Sequence, residues 1–129
     1  MINKKKEKIK VVSYMMIETE KDKEIQEKLL EIMMEAHREF ELKNVYCDEE
    51  TTEKRKERTN LLKMIKEAQE QKFDLVIVSQ MSKFSMNVFD AIEYVREIRK
   101  YGVEIIFVID GIDSRTKKGQ RMLSLRNLF

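Results

Sequence analysis

The chain has 129 residues and a formal net charge of +2, although 39% of its residues are charged. A chain of this length is expected to fold as one domain, residues 1–129, with room for a sizeable core. The single cysteine excludes an internal disulfide, and three glycines without any proline exclude a glycine-rich phosphate loop. No apolar run approaches the ~20 residues that span a bilayer. We therefore expect a cytoplasmic domain without a cofactor and without a membrane partner.

Charge is distributed unevenly along the chain. Residues 18–57 contain 14 acidic and 8 basic side chains, a net of −6, whereas residues 114–129 contain five basic side chains and no acid. A basic surface is therefore expected only towards the carboxyl end.

The first half of the chain predicts a strand, a long helix and a short strand. Residues 9–17 are rich in β-branched and aromatic side chains, which is typical of a strand. Residues 21–40 predict an amphipathic helix, because apolar side chains recur at spacings of three and four: Ile25, Leu29, Ile32, Ala36 and Phe40. Residues 45–47 predict the short strand, in which we interpret Cys47 as a small core residue. Residues 48–58 contain no apolar side chain and predict a mobile loop.

The second half repeats the alternation of helix and strand. Thr59 is a candidate cap for a helix that reaches about residue 71 and carries an apolar face of Leu61, Leu62, Ile65 and Ala68. Residues 74–79 predict a buried strand, Asn87 is a candidate cap for a third helix that ends near Gly102, and residues 103–109 predict a further strand. This alternation predicts an α/β fold with a mainly parallel sheet of four or five strands and helices on both faces. Sites in such sheets lie at the carboxyl ends of the strands, here at residues 80–87.

The last part of the chain predicts a polar loop over residues 110–118 and the start of a helix at Gly119. Three apolar side chains of that helix recur at spacings of three and four: Met122, Leu125 and Phe129. This stripe has no obvious place inside one small domain, so we expect it to contact a partner.

Four segments share the order and spacing of a known pattern. Residues 14–19 read Tyr-Met-Met-Ile-Glu-Thr, residues 46–49 read Tyr-Cys-Asp-Glu with Arg58 beyond them, and residues 82–87 read Ser-Lys-Phe-Ser-Met-Asn. Residues 111–122 read Gly-Ile-Asp-Ser-Arg-Thr-Lys-Lys-Gly-Gln-Arg-Met. These segments resemble the Tyr-x-Arg-x-Ser-Thr, Tyr-x-Asp-Glu, Asp-Arg-Leu-Ser-Arg-Asn and Gly-Ile-Asp-Thr-x-Thr-x-x-Gly-x-x-Met segments of the serine recombinase (resolvase/invertase) catalytic domain.

The resemblance implies DNA strand exchange, in which a serine hydroxyl attacks a phosphodiester and arginines stabilise the phosphate charge. At the corresponding positions this chain departs from the family. The nucleophile position is Glu18, the arginine positions are Met16, Lys83 and Met86, and Ser82 stands where the family has an acid. Arg58 alone matches a family arginine. A carboxylate repels a phosphodiester and methionine carries no charge, so we expect a pseudoenzyme that is inactive in strand exchange.

The resemblance also implies partners. We expect the domain to act through a homodimer or through association with an active recombinase, with Met122, Leu125 and Phe129 in the dimer contact. DNA backbone contacts are assigned to a basic set: Arg58, Lys83, Lys117, Lys118, Arg121 and Arg126.

Three alternatives remain open at this point. A displaced hydroxyl, that of Ser13, Ser82 or Ser85, could serve an active recombinase, or the chain could be an unrelated small phosphate-binding module. Glu18 could bind a metal together with neighbouring acids, but no ligand spacing is recognisable, and we expect no metal.

Four methionines are predicted to close the former site: Met15, Met16, Met81 and Met86.

Overall fold

The computed structural model describes residues 7–50 and 58–124, which form one five-stranded sheet flanked by helices. The strands are β1 (Ile9–Ile17), β2 (Phe40–Glu49), β3 (Leu75–Val78), β4 (Glu104–Phe107) and β5 (Ile112–Asp113). Their order is β2-β1-β3-β4-β5; the first four run parallel, and β5 is antiparallel to β4. The helices are α1 (Glu20–Ala36), α2 (Thr59–Gln69), α3 (Val88–Arg99) and α4 (Lys117–Met122). The predicted fold class is confirmed.

The sheet is buried on both faces because its strands send alternate side chains to opposite sides. On one face the helices α2 and α3 pack against β1, β3 and β4, with Tyr14, Phe84 and Phe107 among the fully buried side chains. On the other face α1 covers a smaller cluster that includes Val11, Leu30 and Ile77. Strand β2 lies at one edge of this sheet and β5 at the other.

The predicted apolar face of α1 is wrong. Ile25 and Ile32 are each 49% exposed, and the buried residues of the helix are Gln26 and Leu30. The helix ends at Ala36, so that the last member of the predicted stripe belongs to β2 instead. The spacing of apolar residues predicted the wrong face because the buried Gln26 is polar. Its side chain is held by hydrogen bonds to Met16 O and Asp22 Oδ2, which a search for apolar periodicity cannot detect.

Strand β2 is much longer than the predicted three residues. It pairs with β1 along its whole length, with one register shift between Val11 and Val12. Cys47 is exposed on this strand, so its predicted core position is wrong. Asp48, predicted to lie in a mobile loop, is the buried penultimate residue of the strand; residues 51–57 of that loop lie outside the described residues.

The chain after β4 is more ordered than the predicted loop. It contains β5, and α4 begins at Lys117, two residues before the predicted start, because Thr116 Oγ1 accepts a hydrogen bond from Gly119 N. Gly119 packs so closely that a Cβ there would lie 1.8 Å from the backbone oxygen of Asp113. Within residues 7–50 and 58–124, no helix has the length and apolar character needed to cross a membrane.

Candidate active site

A cleft of about 650 Å³ opens where β1 ends and where the polypeptide leaves β3. Parallel strands deliver their following residues to the same edge, so segments distant in sequence meet here. The lining comes from β1, the end of β2, the start of α2, the 3₁₀ turn Met81–Lys83 and α3: Met16, Glu18, Glu50, Arg58, Ser82, Ser85, Met86, Asn87 and Tyr94. The cleft therefore gathers three of the four sequence segments singled out above.

Lys83 is the buried cation beside this cleft. Its side chain is 6% exposed, and its Nζ lies 2.9 Å from Asp22 Oδ2 and 3.3 Å from Glu18 Oε1. An ammonium group removed from water is stable only when it is paired, and here two carboxylates surround it. The positive charge of Lys83 is thus engaged within the protein.

Asp22 organises the carboxylate side of this cluster. Partial burial opposes its ionisation, but hydrogen bonds from the Glu18 backbone N–H and from Lys83 outweigh that effect and lower the pKa of Asp22 below its ordinary value. Thr19 caps α1 by accepting from Asp22 N, and Gln26 Nε2 donates to Asp22 Oδ2 at 3.0 Å. Asp22 in the first turn of α1 and Glu18 just before the capping residue consequently both face Lys83.

A second polar network includes Arg58, another residue that lines the cleft. Tyr14 OH donates to Asp48 Oδ2 at 2.9 Å, and Arg58 Nη2 approaches Tyr14 OH at 3.3 Å. The Arg58 guanidinium lies 5.5 Å from the centre of the Tyr14 ring and also donates to the backbone oxygen of Lys83. Burial, opposed by Arg58 and reinforced by Asp48, raises the pKa of Tyr14, so its hydroxyl stays protonated.

Asp48 also caps α2. Its two carboxylate oxygens accept from Asn60 N and Leu61 N, each at 3.0 Å. Thr59, the predicted cap, is instead the first residue of the helix, and the capping position, Arg58, provides no side-chain hydrogen bond. A carboxylate from a neighbouring strand satisfies the unpaired N–H groups and faces the positive end of the helix dipole.

Comparison with known proteins identifies the family to which this chain belongs. A family model described as "Resolvase, N terminal domain" matches residues 5–129. The chain belongs to the resolvase family.

Three solved structures are similar to this chain in fold. The N-terminal catalytic domain of TP901-1 integrase is 22% identical, with 92% of each chain covered and a TM-score of 0.79. A resolvase family site-specific recombinase from Streptococcus pneumoniae is 25% identical, covering 93% of this chain and 86% of that chain, with a TM-score of 0.73. The C-terminal catalytic domain of ISC1926 TnpA, an IS607-like serine recombinase, is 18% identical, covering 89% and 94%, with a TM-score of 0.64. A search of curated proteins gives no match.

The resolvase-like cleft is open, contrary to the predicted closure by methionines. Met86 is 78% exposed at its rim, Met16 and Met81 are half-buried, and Met15 lies under α1 on the opposite face of the sheet. Only Met16 and Met86 line the cleft. The two methionines at arginine positions therefore line an accessible surface and do not seal it.

The three serines considered as displaced nucleophiles differ in access. Ser13 is buried and donates its hydroxyl to the backbone oxygen of Ile77 at 2.8 Å, which removes it from the cleft. Ser82 and Ser85 line the cleft, and Ser85 Oγ accepts from Asn87 N. In the described part of the chain, no group of three or more His, Cys, Asp and Glu side chains is arranged to hold a metal.

The structure separates the other basic residues from this site. Lys117, Lys118 and Arg121 lie on α4, which packs against β5, whereas Glu18 and Lys83 follow β1 and β3. Arg126 and two members of the apolar stripe, Leu125 and Phe129, lie outside the described residues.

Sequence reasoning missed Asp22 and Gln26 as members of the site, and it gave Tyr14 no role beyond its place in the segment of residues 14–19. One signal was available for Asp22, because it stands three residues after the capping Thr19 and four after Glu18. The role of Gln26 and the hydrogen bond of Tyr14 to Asp48 were not recognisable, since the partner is a backbone atom in the first case and is distant in sequence in the second.

Proposed function

We propose that residues 1–129 form one serine recombinase-type domain that does not perform strand exchange and that acts by associating with a second copy or with an active relative. The observation that carries this proposal is the pair formed by Glu18, at the position matched to the nucleophile, and the buried Lys83. The pair supplies a carboxylate where the reaction needs a hydroxyl.

The charges around Glu18 support inactivity as well. A phosphodiester entering the cleft would meet the Glu18 carboxylate, whose side chain is 52% exposed, while the Lys83 charge is already held by two acids. Losing one stabilising donor costs about 100-fold to 1000-fold in rate, and losing the nucleophile removes the covalent route. Met16 and Met86 provide no cation to compensate.

DNA contact, if retained, is proposed at α4 and not in the cleft. Lys117, Lys118 and Arg121 present positive charge on an exposed helix, and Arg126 extends this basic sequence. Such contacts are electrostatic and independent of base sequence, so they should weaken steeply with salt. Arg58 and Lys83 are held by protein partners and are expected to add little.

Capture of a covalent protein–DNA adduct tests the inactivity directly. The unaltered chain is incubated with radiolabelled, nicked duplexes of random sequence, and adducts are resolved under denaturing conditions. We expect no adduct. An adduct mapped to Ser82 or Ser85, the accessible hydroxyls of the cleft, would overturn the proposal in favour of a displaced nucleophile.

A restored variant tests whether Glu18 occupies the nucleophile position. Glu18→Ser combined with Met16→Arg and Met86→Arg returns a hydroxyl and two guanidinium groups, and we expect an adduct at residue 18. The matched control carries the same arginines with Glu18→Ala and should give none. Failure of the folded restored variant would contradict the motif correspondence on which the proposal depends.

A further inference from the structure

The cleft that contains Glu18 has more carboxylates than cations among its described lining residues. Glu18 and Glu50 contribute carboxylates, whereas Arg58 contributes a guanidinium. Lys83 adds no free positive charge, because its ammonium group is already paired with Glu18 and Asp22. The side chain of Glu18 is 52% exposed, so its negative charge acts on any ligand that enters the cleft.

Arg58, the single cation among the described lining residues, is directed to acceptors within the protein. Its Nη2 donates to the Tyr14 hydroxyl at 3.3 Å and to the backbone oxygen of Lys83. Its guanidinium carbon lies 5.5 Å from the centre of the Tyr14 ring, and its Nε is buried, so a ligand in the cleft does not reach that nitrogen. An anion entering the cleft would therefore gain little from Arg58.

Unused oxygen acceptors lie along the same lining. Glu18 contacts Lys83 through Oε1. Within residues 7–50 and 58–124, no hydrogen bond involves Glu18 Oε2, the Ser82 hydroxyl or the Tyr94 hydroxyl. The complement of this lining is a positively charged group that donates several hydrogen bonds, as guanidinium and ammonium groups do.

The less polar part of the lining favours guanidinium over other cations. Tyr94 is half-buried on α3, where an edge contact with Phe84 holds its ring at a centroid distance of 6.4 Å, and Met16 and Met86 also line the cleft. Guanidinium is planar, stacks on aromatic rings and is more weakly hydrated than ammonium. A metal ion fits less well, because the described residues contain no cluster of ligating side chains.

The size and the rim of the cleft favour an arginine side chain carried by a peptide segment. A volume of about 650 Å³ exceeds that of one guanidinium group. At the rim, Met86 is 78% exposed, and Val88 and Phe89 at the start of α3 are 44% and 49% exposed. Apolar residues beside an arginine in a peptide could contact this rim and remove it from water.

We propose that the cleft binds an arginine side chain of a peptide segment, with the guanidinium group between the Glu18 carboxylate and the Tyr94 ring. The proposal goes beyond the absence of strand exchange, and it depends on the charges of the cleft and not on the family position of Glu18. Its experiments contain no DNA, so a failure here leaves the proposed inactivity standing, and a covalent DNA adduct leaves this binding site standing.

Isothermal titration calorimetry of the full chain with acetyl-leucyl-arginyl-leucinamide tests the proposal. The matched control peptide carries citrulline, a neutral isostere of arginine. We expect it to bind at least about tenfold more weakly, because hydrogen bonds between charged partners are the stronger ones. Equal affinity for the two peptides would overturn the proposal, and so would tighter binding of inorganic phosphate than of the arginine peptide.

Two further ligands test the source and the kind of cation. Agmatine carries the guanidinium group without a peptide, and we expect it to bind about tenfold more weakly because it makes no apolar contact with the rim. Equal affinity of agmatine would overturn the peptide source. The corresponding lysine peptide should also bind more weakly, and tighter binding of lysine than of arginine would contradict stacking on Tyr94.

Glu18→Gln tests the carboxylate at the centre of the site. The variant keeps the size of the side chain and removes its charge, so we expect the dissociation constant of the arginine peptide to rise at least about tenfold. Glu24→Gln is the matched control, because Glu24 is exposed on α1 and lies outside the cleft. Similar weakening by both variants would replace a specific site with general attraction to an acidic surface.

A pair of substitutions at Met86 tests the charge of the cleft in both directions. Met86 lines the cleft and is highly exposed, so both variants should fold. We expect Met86→Arg to weaken binding of the arginine peptide and Met86→Glu to strengthen it, each about threefold, because the added charge lies close to the ligand. A change in the same direction for both variants would contradict an electrostatic site here.

Discussion

The two polar networks beside the cleft differ in what they stabilise. The network of Tyr14, Asp48 and Arg58 connects β1, β2 and α2, and Asp48 is 8% exposed with each of its acceptors used. The network of Glu18, Asp22 and Lys83 connects the start of α1 to the turn after β3, and its carboxylates reach solvent. The first builds the resolvase fold, whereas the second fills the proposed reaction position with charge. A family scaffold can therefore persist while the groups at its site change.

The largest effect is expected from Asp48→Ala. It removes the cap of two α2 N–H groups and the acceptor of the Tyr14 hydroxyl. Hydrogen bonds to a buried charge contribute about 1.5–3 kcal/mol each and are not additive, so we expect a loss of about 3–4 kcal/mol in the free energy of unfolding. Urea denaturation measures it. Asp90→Ala, at an exposed position of α3, is the control and should change stability by less than about 0.5 kcal/mol.

Tyr14→Phe should have the second largest effect. The ring remains, together with its edge contact to Phe84, but the hydroxyl that donates to Asp48 and faces Arg58 is lost. We expect a loss of about 1.5–2 kcal/mol, because a charged acceptor is left with one donor fewer. Thermal or urea unfolding gives the value. A loss larger than that of Asp48→Ala would contradict the central position of Asp48.

Lys83→Met should cost less, about 1 kcal/mol. Removing one partner of a fully buried pair costs about 3–5 kcal/mol, but here the side chains of Asp22 and Glu18 are 22% and 52% exposed and can be hydrated. If Lys83→Met and Asp48→Ala lowered the free energy of unfolding by nearly the same amount, the proposed difference in structural importance between the two networks would be contradicted.

The pH dependence of Lys83→Met sharpens this test. The pKa of Asp22 is lower in the folded protein than its ordinary value of 3.8. The stabilisation that ionised Asp22 provides is therefore fully present above pH 3.8, and it is lost as the pH falls through the lower pKa of the folded state. The stability difference between the unaltered chain and Lys83→Met should therefore shrink below about pH 4. Unfolding curves at pH 7 and pH 3 measure it, and a difference that grows in acid would contradict the pairing.

Glu18→Gln should have the smallest effect on stability. Its carboxylate is half exposed, and such ion pairs contribute about 0–1 kcal/mol. We expect a change below about 0.5 kcal/mol, measured by urea denaturation. A loss above about 2 kcal/mol would show that Glu18 is structural and would weaken its interpretation as a substituted nucleophile.

Much of the fold could be predicted because its signals are local. The bounds of β1 agree with the prediction, Asn87 caps α3 by accepting from Phe89 N and Asp90 N, and the turn after α3 contains Gly102 at a φ of +85°. The family resemblance, confirmed by the match to the resolvase model, also depends on local motifs. Strand composition, caps and turns each involve residues close in sequence, which is why they could be recognised.

The sequence by itself determined the α/β class, the family, and the residue types at the proposed reaction positions, because these depend on order and spacing along the chain. The tertiary structure alone decided that Asp48 caps α2 and that Lys83 is buried between Glu18 and Asp22. These features join elements up to 65 residues apart. Burial and pairing arise only when the sheet brings such residues together, so no local pattern contains them.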